Sequence, residues 1–187
     1  MTGRTSILLG ASVALILVTA VGAILALASL SAGGAVTVGS QPIFETAIGY
    51  DRTAERLLEL DPPDLDAADR AARQALRLNP YDNGAWLRRT LIEARRRGVL
   101  GPAGLSLLRN SYDLVPFDPV FGRWRVGFAL EHWTELDLEL RRAVKSEVDV
   151  IAGSSSRGRL IQTLRAVQDP SGRLTGALWA AGLLRRR

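Results

Sequence analysis

The chain has 187 residues with 24 Lys and Arg, 19 Asp and Glu and a net charge of +5, and it contains no cysteine. The lack of cysteine excludes disulfides and every metal or redox site built from thiolates. The charge is uneven, because residues 153–187 hold seven arginines and one aspartate, a net of +6, whereas residues 40–82 hold nine acids and five arginines.

The most distinctive stretch is residues 7–30, which contain no charged residue and no proline. As a helix it would extend about 36 Å, more than the ~30 Å of bilayer hydrocarbon. We predict a transmembrane helix here, preceded by a cytoplasmic tail at 1–6. A cleavable signal peptide is the alternative, because Ala-Leu-Ala at 26–28 fits a small-x-small cleavage site.

The charges around this span predict its orientation. Arg4 precedes the span, and residues 31–51 contain no Lys or Arg, which favours a cytoplasmic N-terminus and a periplasmic C-terminal domain. One lysine among 24 basic residues, together with many alanines, is typical of a GC-rich bacterial genome. We therefore expect a single-pass protein of a bacterial inner membrane.

Small residues recur at every fourth position of the predicted span. A stripe of this kind lets a second helix approach closely, so we predict a partner-helix face for a larger integral membrane protein, formed by Gly10, Ala14, Gly22 and Ala26. Residues 31–43 are small and uncharged, with glycines and a proline, and they predict a flexible linker or a short extended tether.

From residue 44 to the end, helical periodicity separated by Pro, Gly and Asn predicts one all-α soluble domain with no strand. Candidate N-caps precede several of the helices: Asp64 or Asp66, Asp82 or Asn83, Asp118, and Thr134 or Asp137. We expect Trp124, Leu174 and Leu178 on buried faces. The predicted helices cover about 44–60, 65–78, 83–97, 102–114, 119–133, 137–152, 156–168 and 172–185.

Residues 75–82 and 111–118 share one pattern at a spacing of 36: small, bulky, charged, Leu, x, Pro, aromatic, Asp. Each predicts a helix stopped by proline, an aromatic that covers the corner, and an Asp that caps the next helix. This half-repeat resembles the tetratricopeptide repeat; Ala68, Ala72, Ala75 and Pro80 fit it, as do Ser111 and Pro116. The resemblance implies a stack of antiparallel helix pairs.

A second resemblance concerns the whole arrangement. An N-terminal span, a short repeat domain and the segment from Ser111 through Pro116, Arg123 and His132 are similar to small alphaproteobacterial proteins associated with surface-polysaccharide assembly. This resemblance implies a role in polysaccharide polymerisation or export.

No residue pattern predicts a catalytic, cofactor or metal site. The single histidine, His132, lacks the second histidine of a zincin motif, and we interpret it as a polar residue at a helix end near Trp133. The serines at 154–156 lack the strand and glycine spacing of a phosphate-binding loop and are interpreted as a linker. We therefore predict a protein that is not an enzyme.

The predicted function is a membrane-anchored adaptor whose domain binds a loop or peptide of a larger membrane protein. The alternative is an accessory subunit that stabilises an energy-transducing or secretion complex through its span. Candidate partner-binding residues on the domain are Arg88, Arg95, Arg123 and Arg125.

The basic C-terminal segment, from residue 153 onwards, has two interpretations. It contacts anionic lipid headgroups, an anionic polysaccharide or an acidic partner, or it pairs within the chain with the acidic first helices. Nucleic acid is not expected, because aromatic residues do not alternate with these arginines. The candidate residues are Arg157, Arg159, Arg185, Arg186 and Arg187.

Overall fold

The structure is a computed structural model that describes residues 35–38 and 41–185. Its first elements are two short strands, β1 (Ala35–Val38) and β2 (Gln41–Glu45), which pair antiparallel with Ala35 opposite Glu45. Strand β1 and the first part of β2 lie in the region for which composition predicted a linker. Residues 44 and 45 of β2 lie in the range predicted as a helix, so the predictions of a helix from residue 44 and of no strand after it are wrong for these two residues. From residue 46 to residue 185 all regular structure is helical, which confirms the all-α prediction for that part of the chain.

Two compact units divide the chain, Met1–Pro80 and Tyr81–Arg187. The division between them falls inside the range 44–187, which was predicted as one domain. The first unit contains α1 (Ala47–Leu58) and α2 (Leu65–Leu78), which pack against each other. Thr46 caps α1 by accepting from the Gly49 amide at 3.1 Å, and Asp64 caps α2 by accepting from the Ala67 amide at 2.9 Å. Most buried residues of these helices are alanines, and Ala54, Ala71 and Ala72 pack together in one small cluster. Ala68 and Ala75 are also fully buried.

The second unit contains six α-helices and one turn of 3-10 helix among its described residues. Short connections join them, and α3 packs against α4, α5 against α6, and α7 against α8. Their bounds are α3 (Asn83–Arg97), α4 (Gly101–Leu114), α5 (Gly122–Glu131), the 3-10 turn Trp133–Glu135, α6 (Leu138–Ala152), α7 (Arg157–Ala166) and α8 (Pro170–Arg185).

Local sequence signals set most of these boundaries. Asp82 caps α3 by accepting from the Ala85 amide, and Gly98 ends that helix with φ of 72°, a left-handed conformation that favours glycine. Asp137 caps α6 by accepting from the Leu140 amide at 2.9 Å. This hydrogen bond and the neighbouring Arg109 guanidinium lower the pKa of the Asp137 carboxyl. These three boundaries confirm the predicted caps.

The fifth helix is shorter than predicted. Residues 119–121 form a turn before α5, and Asp118 caps that turn by accepting from the amides of Val120 at 2.8 Å and Phe121 at 2.7 Å. At its other end α5 stops at Glu131, and a 3-10 turn follows. The prediction that Asp118 is a capping residue is thus correct. The prediction that it caps the helix directly is wrong, because it caps the turn that precedes α5.

One hydrophobic core holds the second unit together. It is formed by side chains from α3 to α8, and its fully buried members include Leu100, Leu108, Val126, Leu130, Leu140, Val144, Leu160 and Leu164. Three predictions about the core are wrong. Trp124 is exposed and stacks on Phe128 at 5.0 Å between ring centroids, and Leu174 and Leu178 are exposed on α8.

The membrane predictions fall on another part of the chain. None of the described helices is long and apolar enough to cross a bilayer. The predicted span at 7–30, with its proposed helix-contact residues Gly10, Ala14, Gly22 and Ala26, lies outside the described residues, and so does the predicted tail.

Candidate functional site

A buried ion pair lies at the centre of the corner between α4 and α5. Arg125 on α5 and Glu147 on α6 are both fully buried. The Arg125 Nε donates to Glu147 Oε2 at 3.0 Å, and Nη2 donates to the other carboxylate oxygen. This two-point pairing is the geometry in which a buried charge pair is best satisfied.

The remaining guanidinium hydrogens bind the end of α4 and the loop after it. Nη1 donates to the Ser111 carbonyl and to its hydroxyl, each at 3.0 Å, and Nη2 donates to the carbonyls of Val115 at 2.9 Å and Pro116 at 3.2 Å. The Ser111 carbonyl also accepts from the Val115 amide at 3.1 Å. The carbonyls of Val115 and Pro116 follow the last residue of α4, and here a side chain supplies their donor. Arg125 therefore fixes the direction in which the chain leaves α4.

Glu147 adds two more contacts to this cluster. It accepts from the Tyr112 hydroxyl at 3.0 Å and from the Asp118 amide at 3.1 Å, while the Arg125 guanidinium lies 3.8 Å from the centre of the Tyr112 ring. Burial, followed by the negative charge of Glu147, raises the pKa of the Tyr112 hydroxyl well above its usual value. We call Ser111, Tyr112, Arg125 and Glu147 the Arg125 cluster.

The Arg125 cluster holds the corner at 115–121 in a fixed conformation. Asp118 strengthens it, because its second carboxylate oxygen accepts from the Asn83 side chain at 2.5 Å. The apolar residues of the corner nevertheless face solvent: Phe117 is 49% exposed and Val120 is 76% exposed. The predicted role of Phe117 as a cover for the corner is therefore wrong, and the same is true of Tyr81, which is 77% exposed.

Beside this corner lies a groove of about 390 Å³, which we call the arginine groove. Its apolar wall is formed by Phe117, Pro119 and Val120 from the corner and by Val150 and Ile151 from α6. Arg123 on α5 and Arg159 on α7 also line it, as do the serines of the connection between α6 and α7: Ser154, Ser155 and Ser156.

The electrostatics of the arginine groove favour an anionic ligand. Its two carboxylates, Asp118 and Glu147, are buried and already accept hydrogen bonds from within the chain. Arg123 and Arg159, by contrast, are exposed. The groove thus combines exposed apolar surface with two exposed cations, a composition that suits a peptide with apolar and acidic side chains.

The structure separates the four arginines that were predicted to bind a partner. Arg123 lines the groove, but Arg125 is fully buried, which corrects its prediction as an exposed contact: a guanidinium with no surface cannot reach a partner. Arg88 is half-buried on α3, and Arg95 is exposed in the last turn of the same helix; neither lines the groove.

The C-terminal arginines are also in different environments. Arg159 lines the groove, whereas the Arg157 guanidinium donates to the Leu183 carbonyl near the end of α8. Arg185 is exposed in the last turn of α8, and Arg186 and Arg187 lie outside the described residues.

His132 takes part in a structural contact at the end of α5. Its Nδ1 lies 2.9 Å from a Glu135 oxygen, and its ring lies 4.8 Å from the ring of Phe128. Partial burial opposes ionisation of Glu135, but hydrogen bonds from the Gly101 amide and His132 outweigh it and lower the Glu135 pKa. Within the part of the chain that the structure describes, no group of His, Asp and Glu could hold a metal ion.

Sequence reasoning missed Glu147 and the groove residues Phe117, Val120 and Val150. A signal for Glu147 was present, because it shares the buried side of α6 with Leu140, Val144 and Val148, and a charged residue on such a stripe predicts a buried partner.

No protein-family model matches the chain, and no curated protein or solved structure is found to be similar to it. The tetratricopeptide and polysaccharide-assembly resemblances remain predictions from the sequence.

Proposed function

We propose that this protein is a membrane-anchored, non-enzymatic adaptor that binds a segment of a larger membrane protein in its arginine groove. The observation that supports this proposal is the groove itself, in which exposed Phe117, Val120 and Val150 lie beside the cations of Arg123 and Arg159. The resemblance noted above suggests polysaccharide polymerisation or export as the process.

The order of the corner at 115–121 supports the interpretation that its exposed apolar residues form a binding surface. Because the Arg125 cluster and Asp118 already fix the loop at 115–121, little conformational entropy is lost when a ligand contacts it. A surface that is organised before binding converts more of its contacts into affinity. Phe117 and Val120 are thus suited to act as anchors for apolar side chains of a peptide.

The predicted span supplies the second half of the proposal. A helix at 7–30 would hold the domain next to the membrane and raise its effective concentration near a membrane partner. The partner-helix face at Gly10, Ala14, Gly22 and Ala26 would then add a contact within the bilayer.

Site-specific photocrosslinking of the full chain in native membranes tests the adaptor function. A photoreactive amino acid at Val120 is compared with one at Arg142, which is exposed on α6 and does not line the groove. We expect an adduct with one membrane protein from position 120 and none from 142. Arg123→Glu should reduce the adduct, and Arg142→Glu should leave it unchanged.

A second comparison separates the groove from the span. A chain that begins at Ser40 should retain groove-dependent crosslinking when it is supplied at high concentration, and should lose partner capture when it is dilute. Equal adducts from positions 120 and 142, or an adduct that is insensitive to Arg123→Glu, would refute the assignment of the groove as the binding site.

A further inference from the structure

Helix α8 packs against the rest of the second unit mainly through small residues. Gly172, Gly176, Ala180 and Leu183 are buried. A Cβ at Gly172 would lie 1.8 Å from the Leu130 carbonyl oxygen, and one at Gly176 would lie 2.5 Å from the Leu164 carbonyl oxygen. The backbone of α8 therefore touches the backbone of its neighbours, and these glycines permit the close approach.

This packing leaves the larger apolar residues of α8 on the outside. Leu174 and Leu178 are each 65% exposed, and Ala177 and Ala181 are exposed beside them. Spacings of three and four residues place these side chains on one side of the helix. We call Leu174, Ala177, Leu178 and Ala181 the leucine face.

An exposed apolar face is unusual for a helix at the surface of a domain. Such a helix normally presents polar residues to water, and a helix that is apolar on both sides is normally covered on both sides. Contiguous exposed apolar surface marks a contact with another body. We therefore expect another molecule or surface to cover the leucine face.

The charges around the leucine face indicate which occupant fits. Helix α8 contains no acidic residue, and Arg173 and Arg185 are exposed at its two ends. The nearest acid in sequence, Asp169, accepts from the Gly172 amide at 2.8 Å and so is used at the start of the helix. Two copies of α8 placed face to face would bring like charges together, whereas an anionic surface would pair with them.

We propose that α8 lies on an anionic lipid surface, with its leucine face at the boundary between headgroups and acyl chains and with Arg173 and Arg185 at lipid phosphates. An apolar stripe flanked by arginines is the composition of a helix that lies in a membrane interface. The long arginine side chains reach the phosphates while their stems remain in contact with apolar surface. The surface involved is distinct from the arginine groove.

The absence of cysteine in the chain makes a direct test straightforward. The full chain carrying Leu178→Cys is spin-labelled and reconstituted in vesicles of equal parts phosphatidylcholine and phosphatidylglycerol. A matched label at Ser106→Cys, an exposed position on α4, is the control. Collision of each label with dissolved oxygen and with a water-soluble nickel complex is measured by electron paramagnetic resonance.

We expect the label at 178 to lose most of its collisions with nickel and to gain collisions with oxygen, while the label at 106 stays accessible to nickel. Substitution of both Arg173 and Arg185 by Glu should restore nickel access at 178, and so should vesicles of phosphatidylcholine alone. Equal nickel access at 178 and 106 in the anionic vesicles would overturn the proposal. Protection at 178 that persists in detergent with spin–spin broadening would overturn it in favour of contact between two copies.

Discussion

Removal of the Arg125 guanidinium gives the sharpest test of the structure. In Arg125→Met the Glu147 carboxylate, which is fully buried, keeps only the Tyr112 hydroxyl and the Asp118 amide as donors. The carbonyls of Val115 and Pro116 also lose the donor that Arg125 supplied. Breaking a buried ion pair in this way destabilises a protein by about 3–5 kcal/mol, a large share of the roughly 5–15 kcal/mol that holds a domain folded.

Thermal unfolding of the full chain in a mild detergent, followed by circular dichroism, measures the effect. For a unit of this size each kcal/mol lowers the melting temperature by about 4–8 °C, so we expect Arg125→Met to lower it by at least ~12 °C. Arg142→Met is the matched control, since Arg142 is exposed on α6 and a surface change of this kind stays within about 0.5 kcal/mol.

A double substitution identifies the cause. If the loss comes from the uncompensated charge of Glu147, then adding Glu147→Leu to Arg125→Met should recover part of it, with a coupling free energy of about 0.5–3 kcal/mol. A melting temperature within a few degrees of the parent in Arg125→Met, or a double variant no more stable than Arg125→Met alone, would refute the argument that this buried pair fixes the corner.

Three further predictions follow from the same structure. Because burial and the Glu147 charge raise the pKa of Tyr112, stability from this group is complete below the usual tyrosine pKa of about 10 and is lost as pH rises through the higher folded pKa; Tyr112→Phe should remove this alkaline loss in unfolding curves measured against pH. Gly172→Ala should destabilise the protein by about 1–3 kcal/mol, since the new methyl group would overlap the Leu130 carbonyl, whereas Gly182→Ala, with open space around it, should be neutral or stabilising by up to ~1 kcal/mol in chemical unfolding. Gly22→Leu on the predicted span should weaken co-purification of the membrane partner in mild detergent without reducing membrane insertion; unchanged association would show that the span is only a tether.

The helices were predictable because their signals are local. Asp64, Asp82 and Asp137 precede their helices, Gly98 follows one, and each acts within a few residues of the chain. The Arg125 cluster could not be predicted in this way, because its central pair joins two residues that lie 22 positions apart in the sequence. A period marks which side of a helix is buried, but it does not show that a charged residue on that side has a partner from another helix.

Helix α8 shows the limit of reading burial from residue size. Leu174 and Leu178 form an apolar stripe that predicts a core face, yet the structure buries Gly172 and Gly176 on the opposite side. Small residues permit contact between backbones, which leucines at the same positions would prevent. When both sides of a helix are apolar, periodicity alone does not decide which one faces the core.

The corner at 115–121 connects stability to the proposed function, and Asp118→Ala separates the two. This change removes the acceptor for the Val120 and Phe121 amides and the partner of Asn83, while the Arg125–Glu147 pair stays in place. Loss of a capping side chain amounts to about 0.5–2 kcal/mol, so hydrogen exchange at these two amides should accelerate roughly 2- to 30-fold.

Crosslinking from position 120 should fall in the same Asp118→Ala variant, because the groove wall would no longer be held before a ligand arrives. Faster exchange with undiminished crosslinking would mean that the partner orders the corner itself. In that case the order of the corner at 115–121 in the free protein would not be needed for binding. Phe117 and Val120 would bind the partner even when the corner is flexible beforehand.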